Sequence, residues 1–306
     1  MNGRCAIGGG TVIDPNVGQI RPTFYAVNAR YNALEAQITK KLSHGLQLQG
    51  SYTWSKCYDN SSSGDIGDPY QNSLSSLPFF ESLNRLAPCD FNITHNFVGN
   101  WIWDIPSPKS ASRIKSRLEG GWELGGIITA STGSPFTPIL SGDPLGQNSS
   151  DPFDFPNRIP GCNPVAANYR STLQYLNLSC FTPAAAPASF AAQCADFTGA
   201  AAPPPSGTVY CRNLFGNSGR NSVNGPGLFD WDLSVYKNNY FPRISESFNV
   251  QFRAEFFNVL NHVNFQSPIN NQALFTASGR PIANAGVLDT VSSDPREIQL
   301  SLKAIW

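Results

Sequence analysis

The chain has few charged residues and no long apolar run. Only 14% of its 306 residues are charged, against roughly 25% in ordinary globular proteins, and 21 basic residues balance 21 acidic ones. A net charge of zero gives nucleic acid no electrostatic attraction, so no nucleic-acid partner is expected. No apolar segment approaches the ~20 residues of a membrane-spanning helix, which leaves open a transmembrane β-barrel with only alternate residues apolar.

Motifs for catalysis, cofactors and metals are also scarce. The three histidines, His44, His95 and His262, share no spacing typical of metal ligands. No phosphate-binding or dinucleotide-binding glycine motif is present, and residues 216–219 (GNSG) lack the strand-turn-helix context of a nucleophilic serine. We therefore expect neither an enzyme nor a cofactor or metal site.

Alternation of apolar and polar residues is the dominant pattern of the chain. In residues 46–55 the even positions are apolar or glycine, and the odd positions are Gln, Ser or Thr. Such alternation predicts half-buried β-strands. The predicted strands are residues 32–41, 46–55, 91–105, 121–131, 229–235, 248–256 and 297–306.

Strand length favours a membrane over a soluble sandwich. Most of the predicted strands have about ten residues, which exceeds the ~5–6 usual in soluble sheets. At about 3.3 Å per residue and a tilt near 45°, ten residues span about 23 Å, close to the ~25 Å apolar band of an outer-membrane barrel. All six tryptophans lie near predicted strand ends, as aromatic girdles require.

The connections alternate in length. The links after the odd-numbered strands are short, whereas three long loops, residues 57–90, 139–228 and 266–295, follow the even-numbered strands. Because antiparallel strands alternate in direction, all long loops fall at one end of the sheet. Outer-membrane barrels have this asymmetry, with short periplasmic turns and long extracellular loops. The loops themselves have little periodicity, and we expect packing or disulfides to provide what order they have.

All seven cysteines lie outside the predicted strands and short turns. This distribution indicates disulfides in an oxidising, exterior compartment. Cys57 and Cys89 are the favoured pair because they lie at the two feet of one loop. The order along the chain also suggests the pairs Cys162–Cys180 and Cys194–Cys211, although sequence alone leaves the connectivity open and Cys5 without a partner.

Charged residues on the polar strand faces form the main set of candidate site residues. In a barrel they would face the lumen, where we expect them to be solvated and to form ion pairs across strands, with ligand binding as the alternative. The lumen-facing candidates are Glu35, Glu123, Asp230, Asp232, Arg253 and Glu255, with Glu297 and Lys303 in the last strand.

Several segments resemble one family. Residues 50–56 (GSYTWSK), 121–138 (GWELGGIITASTGSPFTP) and above all 253–265 (RAEFFNVLNHVNF) resemble the carboxy-terminal barrel of TonB-dependent outer-membrane receptors of the Oar-like kind, which carry a carboxypeptidase-regulatory-like domain. Residues 296–306 (REIQLSLKAIW) are similar to the terminal strand read by the barrel-assembly machinery. In that strand Leu300, Leu302 and Trp306 correspond to the assembly signal.

The resemblance implies a location in the outer membrane of a Gram-negative-type bacterium. Such receptors form about 22 strands around a plug and take up a bulky nutrient, with energy supplied by the TonB complex through the plug. Seven strands are about a third of that wall, so we expect an all-β, antiparallel, incomplete barrel section. Residues 1–24 are then an extracellular-loop remnant, and residues 25–306 are the carboxy-terminal part of the barrel.

The expected partners follow from the same resemblance. They are outer-membrane lipid, the assembly machinery, the rest of the barrel with its plug, and an unidentified transported ligand. The alternative hypothesis is a secreted, disulfide-stapled β-sandwich that binds carbohydrate or protein through its loops.

Overall fold

Seven long strands dominate the fold. The structure, a computed structural model, describes residues 28–60, 62, 86–107, 113–142, 154–194, 200, 203–211 and 214–306. Within this part of the chain, no helix is long and apolar enough to cross a membrane. The long strands are β1 (Ala29–Ser43), β2 (Leu46–Asp59), β3 (His95–Asp104), β4 (Trp122–Ser131), β5 (Leu228–Tyr240), β6 (Asn249–Phe257) and β7 (Glu297–Ile305).

All seven long strands lie in one antiparallel sheet, and each pairs with its neighbour along the chain. This confirms the predicted all-β class. The sheet is not closed, because β1 and β7 do not pair with each other or with any other described strand on their outer edges. The described long strands form no second sheet, so the β-sandwich alternative does not fit the structure.

The register gives the sheet one apolar face. Tyr52 lies opposite Phe97, Phe97 opposite Ala130, and Ala130 opposite Phe229, so one row of apolar side chains crosses four strands. Many of these side chains remain exposed to the surroundings; Leu302, for example, keeps 72% of its surface accessible. An exposed apolar face of this extent is typical of a surface that contacts lipid or another protein.

The short connections lie at one end of the sheet. His44 and Gly45 both have positive φ and form the two-residue turn between β1 and β2. A Cβ atom at Gly45 would lie 2.5 Å from the carbonyl oxygen of Asp104, so this turn requires glycine. The connection between β3 and β4 contains α1 (Arg113–Glu119), a short helix that the alternation pattern does not predict.

The long connections all lie at the other end, as predicted, but their bounds differ from the predicted ones. They comprise residues 60–94, 132–227 and 258–296. The expectation of little regular structure is partly wrong. Short strands pair within the second connection and between the second and third: Pro135–Phe136 with Val223–Asn224, Asn157–Arg158 with Phe181–Thr182, Ala185–Pro187 with Thr208–Tyr210, and Ile139–Leu140 with Ala273–Phe275.

The second and third long connections share a hydrophobic core, and we call their described residues the cap. Burial of these side chains from water stabilises the cap in the way of a small soluble domain. The core side chains include Phe136, Leu140, Tyr175, Leu176, Phe181, Val223, Leu274 and Leu288, each with less than 5% of its surface exposed. Burial raises the pKa of Tyr175, whose hydroxyl donates a hydrogen bond to the carbonyl oxygen of Asn224 at 2.7 Å.

Candidate functional site

The register places all the candidate charged residues on the polar face of the sheet. Glu123 lies opposite Tyr236, which lies opposite Arg253 on the next strand. Asp232 lies opposite Ile127, and Glu255 lies opposite Ser234. The same alternation assigns to this face the remaining candidates, Glu35, Asp230, Glu297 and Lys303.

The expected ion pairs across the strands are not formed by these residues within the described part of the chain. Instead, side chains on the polar face contact one another through amide hydrogen bonds and a cation–π contact. The Arg253 Nε donates to the Gln251 Oε1 at 2.6 Å, and its guanidinium lies 5.1 Å from the ring centre of Tyr236. The Asn238 Oδ1 accepts from the Gln251 Nε2 at 2.8 Å. Among the described residues, no arginine or lysine lies within ion-pair distance of the carboxylates on this face.

The three disulfides of the structure join Cys57 to Cys89, Cys162 to Cys180 and Cys194 to Cys211. The first joins the end of β2 to the far end of the first long connection. The other two tie segments of the cap together. Cys5 lies outside the described residues.

A buried arginine joins the cap to the wall. Arg220 has 7% of its surface exposed, and its guanidinium pairs with both Asp59 and Asp90, the latter at 3.2 Å. It also donates to the carbonyl oxygen of Asp59 at 2.8 Å. Asp59 ends β2 and Asp90 belongs to the first long connection, so one side chain holds together three parts of the chain.

Asn221 extends this buried cluster. Its Nδ2 donates to the Asp90 Oδ1 at 2.6 Å and to the carbonyl oxygen of Pro88 at 2.7 Å. Its backbone N–H donates to the Thr137 Oγ1 at 2.9 Å. Sequence reasoning missed Arg220 and Asn221 because residues 216–227 (GNSGRNSVNGPG) have the composition of solvated turns.

Three asparagines organise the segment after β6. Asn258 and Asn261 have positive φ, a conformation that asparagine tolerates better than most residues. The Asn258 Nδ2 donates to the carbonyl oxygens of His262 and Asp294, and its N–H donates to the Asp232 Oδ1 at 2.9 Å. This segment therefore joins the end of β6 to β5 and to the chain just before β7.

The Asn264 side chain bonds directly to the backbone of β5. Its Oδ1 accepts from the N–H of Phe229 at 2.8 Å, and its Nδ2 donates to the carbonyl oxygen of the same residue at 2.9 Å. The side chain thus pairs with the backbone of β5 as a neighbouring strand would. Three asparagines within seven residues after a strand are the sequence signal for this structure.

The carboxy-terminal residues lie on the apolar face. Leu300 and Leu302 are opposite Ala254 and Phe252, and their exposed fractions are 65% and 72%. Trp306 follows β7 and has 86% of its surface exposed. The terminal strand therefore offers an unpaired edge and an uncovered apolar surface.

An open pocket of about 530 Å³ lies on the cap. Residues 158–164 and Asn217 line it, and the lining contains no carboxylate. Among the described residues that line it, Arg158 alone has an ionised side chain. All of these lining residues belong to the second long connection.

The histidines and the serine tetrad show structural contacts. The His95 Nδ1 lies 2.7 Å from the Tyr52 hydroxyl, and the His262 Nδ1 lies 3.1 Å from the Asn264 Oδ1. Ser218 is buried and its backbone N–H donates to the carbonyl oxygen of Pro156 at 3.1 Å. Within the described residues, no three His, Cys, Asp or Glu side chains are placed to hold a metal ion.

Comparison with known proteins gives one match. A family model for an outer membrane beta barrel domain matches residues 6–299. No curated protein and no solved structure matches the chain. The match covers nearly the whole chain, including the cap and six of the seven long strands in full.

Proposed function

The chain belongs to the outer membrane beta barrel domain family, and we propose that it forms the carboxy-terminal wall of a TonB-dependent transporter for a bulky nutrient. One observation carries the proposal: the sheet of seven long strands has an apolar face, and its two outer edges pair with no other strand of the described residues. Backbone groups without partners cost several kcal/mol each in the hydrocarbon of a membrane. The edges of β1 and β7 therefore call for further strands, which the rest of a larger barrel would supply.

In the proposed arrangement the apolar face contacts outer-membrane lipid and the polar face lines the lumen. The carboxylates of Glu123, Asp230 and Asp232 would then be solvated beside the plug. The cap would lie outside the cell, where its disulfides are stable and where a ligand arrives. β7, with Leu300 and Trp306, would serve as the strand read by the barrel-assembly machinery.

The proposed role requires no bond-breaking chemistry from this chain. Its residues would capture the ligand and enclose its path, and energy would reach the transporter through the plug from the TonB complex. Uptake of a bulky ligand fits the size of the cap, which contains two of the three long connections.

An epitope inserted between Ser206 and Gly207 tests the proposal in the source bacterium. A Cβ at Gly207 would meet no heavy atom within 4 Å, so this turn has room for an insertion. We expect antibody to label intact cells, the tagged polypeptide to be much larger than 33.2 kDa, and the TonB protein to be recovered with it after cross-linking in cells. The untagged strain is the control.

Two results would count against the proposal. A mature tagged polypeptide of about 33.2 kDa would show that no larger barrel is formed from one chain. Failure to recover the TonB protein, in cells where a known TonB-dependent receptor does recover it, would show that another class of outer-membrane protein is present.

A further inference from the structure

A tight turn and a disulfide constrain one side of the open pocket on the cap. Pro160 and Gly161 form a tight turn in which Gly161 has a φ of 76° and the N–H of Cys162 donates to the carbonyl oxygen of Ile159. The Cys162–Cys180 disulfide fastens this turn to the buried core of the cap. A pocket that exists before binding loses little conformational entropy when a ligand enters.

The two asparagine side chains of the pocket have fixed orientations. The Asn217 Oδ1 accepts a hydrogen bond from the backbone N–H of Arg158 at 2.7 Å. The Asn163 Oδ1 accepts from the backbone N–H of Val165 at 3.1 Å. These bonds orient each carboxamide with its oxygen toward the backbone, and neither NH₂ group donates to another described residue, so both remain to bind a ligand.

Arg158 adds a positive charge to these donors. Its Nη1 makes one long contact, 3.4 Å, to the carbonyl oxygen of Ser222, and no carboxylate of the described residues forms an ion pair with it. A guanidinium has five N–H donors, so most of them remain to bind a ligand. The ionised and amide side chains of the pocket therefore offer hydrogen-bond donors and one positive charge.

We propose that this pocket binds an oxyanion group, a carboxylate or a sulfate, of the ligand that the protein captures at the cell surface. Charge-assisted hydrogen bonds from a guanidinium and amide groups are the usual means of holding such groups. As the capture site of a transporter the pocket rests on the proposed function, but anion binding itself is measurable without transport.

Calorimetric titration of the full chain, purified from outer membranes in detergent, tests the inference. The probes are citrate for the carboxylate, inorganic sulfate for the sulfate, and glucose as a neutral compound. We expect citrate or sulfate to bind, glucose not to bind, and the affinity to fall as NaCl rises. The stronger of the two anions identifies the chemical source of the oxyanion.

Asn217→Asp tests the role of the NH₂ donor most directly. An aspartate keeps an oxygen for the N–H of Arg158 but replaces the NH₂ donor by a second, negatively charged oxygen. We expect anion affinity to fall about tenfold or more, and similarly in Arg158→Gln. Asn168→Asp is the matched control, because it adds the same charge to an exposed residue of the cap that does not line the pocket.

The possible results distinguish failure of the anion site from failure of the transport proposal. Absence of binding by both anions, equal binding of glucose, or an equal loss of affinity in Asn168→Asp would each overturn the inference. If Asn217→Asp failed to fold, Arg158→Gln would decide the question. Anion binding in a protein that does not associate with TonB would preserve the site and refute only the transport proposal.

Discussion

The wall and the cap use the same apolar residue types in opposite ways. In the wall, Leu300 and Leu302 keep 65% and 72% of their surface exposed, whereas Leu176 and Phe136 of the cap keep 0%. The cap buries its apolar side chains within itself and is cross-linked by disulfides. The long strands of the wall are joined mainly by backbone hydrogen bonds, and one apolar face of the wall is uncovered.

The difference separates two sources of stability. Backbone hydrogen bonds and the surrounding lipid have to stabilise the wall, because few of its apolar side chains contact one another across a core. The cap depends on the hydrophobic effect, on disulfides and on the buried Arg220 cluster. A substitution inside the cap is therefore expected to lower stability through lost burial, disulfides or ion pairs. A charge on the apolar face of the wall is expected to lower stability through unfavourable contact with lipid.

The largest effect is expected from Arg220→Met. The substitution leaves Asp59 and Asp90 buried without their cation, and breaking such a pair costs about 3–5 kcal/mol. Urea denaturation followed by pulse proteolysis measures the free energy of unfolding of the cap. Arg170→Met is the control, because the Arg170 guanidinium is exposed and contacts only a backbone carbonyl and the Tyr169 ring. Similar small losses in both variants would refute a central role for Arg220.

Removal of the Cys57–Cys89 disulfide, by Cys57→Ser with Cys89→Ser, is the next largest change. Its two cysteines are 32 residues apart, and the loop-entropy relation gives about 3–4 kcal/mol for a loop of that length. The Cys194–Cys211 bridge spans 17 residues and is expected to contribute about 3 kcal/mol. Urea denaturation of the whole protein in detergent compares the two, and a clearly greater loss from the shorter loop would contradict this ranking.

Leu300→Arg tests the wall. Arginine on the lipid face near mid-membrane is expected to cost about 2–4 kcal/mol, and Gln299→Arg on the opposite face much less. The measurement is the free energy of unfolding of the protein inserted in phospholipid vesicles. Equal losses would show that the two faces are assigned wrongly.

The smallest effect is expected from Asn261→Ala. Asn261 has a φ of 51°, and its Oδ1 accepts from the N–H of Arg296 at 3.1 Å. Loss of the bond together with backbone strain is expected to cost about 1–2 kcal/mol. Asn261→Gly removes the bond without the strain, so its denaturation midpoint should lie between those of the native protein and the alanine variant.

The wall could be predicted from the sequence because its pattern is local. Alternation located all seven long strands, although β1, β2 and β5 extend beyond the predicted ranges and β3 begins at His95 rather than at residue 91. Successive side chains of a strand point to opposite faces of the sheet, so alternation of apolar and polar residues shows both where a strand lies and which face each residue is on.

The cap could not be predicted in the same way, because its contacts join residues distant in sequence. Arg220 is 161 residues from Asp59 and 130 from Asp90, and neither interval leaves a periodic pattern. The amide orientations that make the pocket an anion site likewise depend on backbone positions set by the folded cap. The sequence signals of that structure are the cysteine order, which suggested the three disulfides, and the three asparagines that follow β6.

Amide hydrogen exchange tests the central claim most directly: the seven strands are part of a wall that other strands complete. The sample is this chain alone, folded in detergent micelles as a monomer. We predict fast exchange of the β1 and β7 amides that point away from the sheet, with slow exchange in β3, β4 and β5. Strong protection of both outer strands in the monomer would show that they pair with each other, and would contradict the incomplete wall.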